Sequence, residues 1–432
     1  MQKLSGKIVQ RAFMARLFFV FFGMMLMIPP NLSAANSQPP TVDYSAELAV
    51  AEIAAAVPAG TPAREENEFK LEVSGNDSLL RHNSYLISRS RRVLERAFSV
   101  DSGWKATRHS GSDYYVLDAG QGTFCFLDIY LDTDDGLNYA NDVSYRVRYR
   151  WHSRGAMWRY MLGSSAAADL PHRCEYQLKI YDKKWENGFN NCLETRFEFR
   201  NESYPFKADR SAPPQPWPFE QFVRPAIDGR FRDFFVNTAH DYAAFLRNRP
   251  GVTGIVKLKP SLLVVTTRRR IHVGLKNEFG VRAAQLGLGA IENADQTILT
   301  TIDCSEVYPP EVLDVYHVSR YAQAHNSLTP RLRRRLKASI VPVSSFTEYE
   351  FEFERNVESA LRQEIAKAAD SYEKARLEQI KADYLADVAT VAKILSTSLS
   401  ETGLTISPGR MSKYRKAWQA LHGTRQPPPA SP

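Results

Sequence analysis

Ionisable residues spaced two apart recur along the chain, and their types define a chemistry. Glu66, Glu68 and Lys70 alternate with Phe69, Leu71 and Val73, and Arg146, Arg148 and Arg150 alternate with Tyr145, Val147, Tyr149 and Trp151. Further on come Glu175, Gln177 and Lys179, then Glu194, Arg196, Glu198 and Arg200. Arg268, Arg270 and His272 form another set, Asp303 stands in TTIDC, and Glu348, Glu350, Glu352 and Glu354 share one parity of EYEFEFE. Guanidinium groups offer paired donors that match phosphate oxygens, ammonium groups act as point charges, and clustered carboxylates hold hard divalent ions through oxygen. Both signs together suit a metal-bound polyphosphorylated ligand. One such strand alone fits an antiparallel sheet with its polar face in water. The set departs from that pattern, because solvated faces mix Thr, Ser and Gln whereas nearly every polar position here is ionisable.

Period-two alternation predicts strands, and Phe124–Thr133 (FCFLDIYLDT) adds a more apolar one, making eight. The expected fold is α+β: an eight-stranded antiparallel β-barrel with a charged interior, packed by helices. Such an interior cannot be a dry core, since unpaired buried charges are costly. Helical spacing appears over residues 79–98 and 231–246, and a long C-terminal helix is expected over about 357–399, broken at most once. That helix offers a surface for a protein partner. The aromatic residues alternate away from the charges, so nucleic acid, which needs aromatic platforms beside cations, is not the expected partner.

The order of these elements resembles the CYTH, or triphosphate tunnel metalloenzyme, superfamily. The likeness rests on E-x-E-x-K at Glu66, Glu68 and Lys70, the Y-x-D-T and R-x-R elements of YLDTDDGLNYANDVSYRVRYR, Lys179, Arg196-x-Glu198, Asp303 and the late E-x-E. LKPSLLVVTTRRRIHV and SKYRKAWQAL are similar to segments of its VTC branch of polyphosphate polymerase domains. The resemblance implies a tunnel of eight antiparallel strands over residues 64–422. It implies phosphate contacts from Lys70, Arg146, Arg148, Lys179, Arg196, Arg268, Arg270 and Lys413. Mg²⁺ or Mn²⁺ would be held among Glu66, Glu68, Glu198, Asp303, Glu350 and Glu352, with Glu66 or Glu350 acting in catalysis. The E-x-E-x-K strand departs from the VTC branch, which leaves the reaction direction open.

The function expected is hydrolysis of inorganic triphosphate or polyphosphate. The alternatives are polyphosphate synthesis from a nucleotide and binding of a polyanion without catalysis. Net charge does not choose among them: of the formal +8, half belongs to residues 1–35, which hold Lys3, Lys7, Arg11 and Arg16 and no acid. Those cations precede an apolar run of 12 residues, 17–28, followed by Ser33, Ala34 and Ala35. This has the form of a secretory signal peptide, too short for a spanning helix, with a retained membrane anchor as the alternative. Either places the folded part outside the cytoplasm, secreted or periplasmic. Residues 36–63 read as a linker and 423–432 as a Pro-rich tail. The four cysteines, Cys125, Cys174, Cys192 and Cys304, fit either disulfides or buried thiols.

Overall fold

The computed structural model describes residues 46–49, 64–74, 124–181, 189–200, 255–274, 297–353, 364–379 and 404–423, with isolated positions at 382, 393, 396, 397 and 400. The helices expected over 79–98 and 231–246, the segment 1–35 and nearly all of the tail lie outside these residues.

All eight strands expected from the alternation are present. They are β2 (Arg64–Ser74), β3 (Phe124–Asp132), β4 (Val143–Trp151), β5 (Arg173–Tyr181), β6 (Phe189–Arg200), β7 (Ile255–Gly274), β8 (Thr297–Tyr308) and β9 (Ser344–Phe353). Every pairing is antiparallel. Along the sheet the order is β7-β3-β4-β5-β6-β2-β9-β8, and β8 pairs in turn with β7, so each of the eight has two partners in a ring. Two short strands join it. β1 (Ala46–Ala49) pairs with β7, inside the span expected to be linker. β10 (Thr405–Pro408) extends the edge of β2 where β6 stops, pairing with Leu71–Ser74 while β6 pairs with Arg64–Phe69.

One face of the strands is apolar and lies under helices. Leu127, Ile129, Val147, Tyr149, Trp151 and Val265 pack with Met157 and Tyr160 of α2 (Arg154–Met161) and with Leu313 and Tyr316 of α3 (Val312–Ala324). Burying each large side chain contributes roughly 1.5–3 kcal/mol. The helices start on local signals. Ser153 accepts a hydrogen bond from the Ala156 N–H at 3.1 Å to cap α2, and Pro309-Pro310 ends β8 before α3. Thr329 caps α4 (Pro330–Ser339), whose proline sits in the first turn.

The long C-terminal helix is interrupted. The chain is helical over 364–367 and again over 371–379, with a break between. Asp370 causes the restart, accepting from the Tyr372 and Glu373 N–H groups at 3.2 and 3.3 Å. Its side chain satisfies donors that a continuing helix would have bonded to carbonyls, so a second N-terminus forms.

Candidate functional site

The other face of the ring carries the charges, and the register explains why. Alternation on each strand is in phase across neighbours: Asp128 opposes Arg148, Arg148 opposes Glu175, Lys179 opposes Glu194, Lys70 opposes Glu350 and Arg268 opposes Asp303. Lys70, Arg146, Arg148, Lys179, Arg268, Asp303, Glu350 and Lys413 are all buried. The structure thus brings eight of the expected site residues together as buried groups.

Two ion-pair centres organise it. In the first, Arg148 grips Asp128 with two bonds of 2.6 and 2.8 Å, and Arg146 reaches the same carboxylate at 3.3 Å. Arg146 also donates to Gln177 at 2.7 Å and to the Tyr130 hydroxyl at 2.8 Å. Burial alone would raise the Asp128 pKa; the two guanidiniums overcome it and carry the group down to about 2.

In the second, Arg268 grips Asp303 at 2.7 and 2.6 Å and bonds Glu350, which also lies 3.5 Å from Lys70. Lys413 enters from α5 (Lys413–His422). Its ammonium contacts Asp303, lies 3.4 Å from Glu350 and lies 3.8 Å from Glu348. α5 is aimed there by Ser412, which accepts from the Arg415 N–H at 3.1 Å as its cap. Burial opposes ionisation of Glu350, but Lys413, Arg268, Lys70 and Lys179 hold its carboxyl well below the usual range. Asp303 is likewise lowered against burial by Arg268 and Lys413. Lys413 is raised against burial by Asp303, Glu350 and Glu348.

Glu66, Glu68, Glu198, Glu352, Arg196 and Arg270 occupy strand positions of the same parity. Glu66 opposes Cys192, Glu68 opposes Asn190, Gln177 opposes Arg196, Glu175 opposes Glu198, and Thr301 and Leu299 oppose Glu350 and Glu352. Their side chains lie outside the described ones. Among the described residues no three carboxylate, imidazole or thiolate groups are set to hold a metal ion. Where Asp303, Glu348 and Glu350 converge, the cation is the ammonium of Lys413. With that ammonium among them, these three do not fit as a metal centre.

The structure adds residues that the alternation alone did not single out. Asp128 is the anchor of two arginines, yet it sits in a strand read as apolar. The signal was slight: two acids, Asp128 and Asp132, share one parity of FCFLDIYLDT. The same strand turns Phe126 to the charges, 4.4 Å below the Arg148 guanidinium and 5.5 Å from Arg268, so aromatic rings do share this face. Glu175, Gln177, Glu194 and Glu348, which the alternation did include, are buried as well.

Towards one end the face becomes apolar. Tyr130, Tyr139, Leu262, Val264 and Val307 pack on Tyr414 and Ala417 of α5, and Tyr130 stacks on Tyr414 at 4.9 Å. There Asp132 caps the short α1 (Leu137–Ala140), accepting from the N–H groups of Thr133, Asn138 and Tyr139 at 2.7, 2.8 and 3.1 Å and from the Tyr414 hydroxyl at 2.5 Å. Burial raises its pKa to about 6 despite those bonds. Cys125, Cys192 and Cys304 are thiols rather than disulfides, and burial pushes Cys125 up to about 12.

No protein-family profile matches the sequence, and no curated protein matches it. Among solved structures the chain is similar to a candidate adenylyl cyclase from Hippeastrum described as having a dominant triphosphatase activity. That likeness has 12% identity and a TM-score of 0.31 over 82% of this chain and 96% of that one. It is also similar to a candidate adenylate cyclase from Bacillus halodurans, with 11% identity and a TM-score of 0.22 over 70% of this chain and 89% of that one. The strand pairings and side-chain contacts, rather than these likenesses, define the site.

Proposed function

We propose that the ring of strands closes as a barrel around its charged face, and that this face binds inorganic triphosphate or polyphosphate and hydrolyses a phosphoanhydride bond. One observation supports it above the others: seven cations, Lys70, Arg146, Arg148, Arg150, Lys179, Arg268 and Lys413, are buried, each over 90% covered. A purely structural core has no use for so many, because apolar residues of similar volume stabilise as well or better.

In this reading the phosphate oxygens exchange with the carboxylates now bound to Arg148, Arg268, Lys70 and Lys413. These cations neutralise the chain and the charge that develops on the equatorial oxygens. Water attacks phosphorus in line, its oxygen forms the new bond, and the bridging P–O bond breaks with its electron pair on the departing phosphate. A proton from the water passes to phosphate or solvent. Glu350, held so strongly as an anion, suits orienting that water better than accepting its proton. Glu66 occupies a strand position from which the same role is open.

A divalent ion, Mg²⁺ or Mn²⁺, would supply further charge neutralisation, and its ligands would come from Glu66, Glu68, Glu198 and Glu352. Export through residues 1–35 would place the protein where nucleoside triphosphate is scarce, which favours hydrolysis over synthesis. The second reading, a binder without turnover, is favoured by one observation: Asp128, Asp303 and Glu350 are already compensated by the protein's own cations.

The test is product analysis. The full chain is incubated with tripolyphosphate, long-chain polyphosphate and ATP, with Mg²⁺, Mn²⁺ or EDTA, and phosphate release and chain length are measured. Phosphate release from tripolyphosphate supports hydrolysis, and its loss in EDTA supports a metal. Chain growth from ATP selects synthesis. Binding without any product selects the second reading.

A further inference from the structure

The end of the ring away from α5 carries a second group of cations, on the margin where β3 and β5 begin and β4 and β6 finish. Arg150 directly opposes Arg173, and Arg173 directly opposes Arg200, so three arginines stand in one row across β4, β5 and β6. Like charges facing each other across strands destabilise a sheet. Arg173 also contacts Glu175 at 3.0 Å, and Arg150 lies over Phe124 at 3.5 Å.

Just past this row the two strands end in histidines. His152 and His172 stack with centroids 4.0 Å apart and planes within 8°, each 6.4 Å from Phe124. The backbone N–H of His172 donates to the Arg150 carbonyl at 3.0 Å, which holds this residue beside the end of β4. Its Nδ1 is buried with no hydrogen-bond partner among the described residues.

We propose that Arg150, Arg173, His152 and His172 form a mouth subsite that binds a phosphate group, with the imidazole pair taking up a proton as the anion arrives. The assignment rests on the polyphosphate reading of the enclosed face and extends it to residues outside that face's two ion-pair centres. The groups facing the pair are Arg150 on β4, Arg173 and Glu175 on β5, and Phe124 on β3. Arg268 on β7 stands opposite Phe124 in register. Cations therefore outnumber acids around the pair. Burial, His152, Arg150 and Arg173 hold His172 down at about 4, neutral when the subsite is empty. A bound phosphate would reverse the balance by placing negative charge where cations now outnumber acids.

The test is calorimetric titration of the full chain with tripolyphosphate, and separately with orthophosphate, in two buffers of different ionisation enthalpy near pH 5, where a rise of the His172 ring from about 4 changes its protonation. Proteins compared are the unaltered chain, His152→Asn/His172→Asn and Arg150→Gln. The unaltered chain should take up more protons per tripolyphosphate than the histidine variant, and both variants should bind about tenfold more weakly. In the unaltered chain the His172 ring, followed by NMR, should titrate at least about one pH unit higher with tripolyphosphate bound. The same shift with orthophosphate supports a site for a phosphate group of either origin; a shift with tripolyphosphate alone supports a chain end. Equal affinity and equal proton uptake in all three proteins would overturn the subsite alone. An unaltered chain that binds no tripolyphosphate would overturn the subsite and the polyphosphate reading together.

Discussion

Asp128 and Asp132 lie four residues apart on the same face of β3, and the protein drives their carboxyls in opposite directions. Asp128 is carried down to about 2 by Arg146 and Arg148, whereas Asp132, among backbone N–H groups and the Tyr414 hydroxyl, is pushed up to about 6. Both are fully buried. The difference therefore lies in the partners: formal positive charge at one, neutral dipoles at the other. It divides the buried face into an ionic region and an end packed by α5, where neutral partners hold the acid.

Breaking the ionic side should cost most. Asp128→Ala leaves two buried guanidiniums without their shared carboxylate and should destabilise by about 3–5 kcal/mol in urea unfolding. A loss near zero would mean that water already reaches this centre. The pH dependence of stability should separate the two acids. Because Asp132 has a folded pKa above its unfolded value of 3.8, its contribution is fully present below about 4 and is lost as pH rises through about 6. Asp132→Asn should remove a slope of about 3 kcal/mol across that window. Asp128 has the opposite sign: its contribution is present above 3.8 and is lost as pH falls through about 2. That amounts to about 2 kcal/mol, read from acid unfolding of the unaltered chain against Asp128→Asn.

Smaller effects sharpen the end packed by α5. Tyr414→Phe removes one hydrogen bond to Asp132 and should cost about 1 kcal/mol while moving the Asp132 titration upward, since the lost bond favours the ionised form. Asp370 is the exposed reference, an aspartate that only caps a helix. Asp370→Ala should cost about 0.5–1 kcal/mol of stability and leave phosphate release unchanged.

The sequence showed the strands well, because alternation of charged and apolar residues is a local property that survives in the fold. Lys70, Arg148, Arg268 and Glu350 were legible for the same reason. Asp128 was not, because its importance comes from β4 lying alongside β3, and pairing between strands is not written in either one. Lys413 was legible only through its S-K-Y setting; by composition it is an ordinary helix lysine, and burial against Asp303 depends on where α5 docks. A single break was allowed for in the long helix, but its place at Asp370 was not legible, because apolar spacing continues across it and a side-chain cap decides it. Ala46–Ala49 has no alternation of charge and becomes a strand because the edge of β7 is available to it.

The central claim is that the ionic face acts on polyphosphate. It is tested most directly by steady-state phosphate release from tripolyphosphate by the unaltered chain and by Arg268→Ala, with folding of the variant confirmed by circular dichroism. The account predicts turnover that falls by roughly a hundredfold or more in the variant. Equal turnover in the two proteins, or none in the unaltered chain under any metal condition, would contradict it.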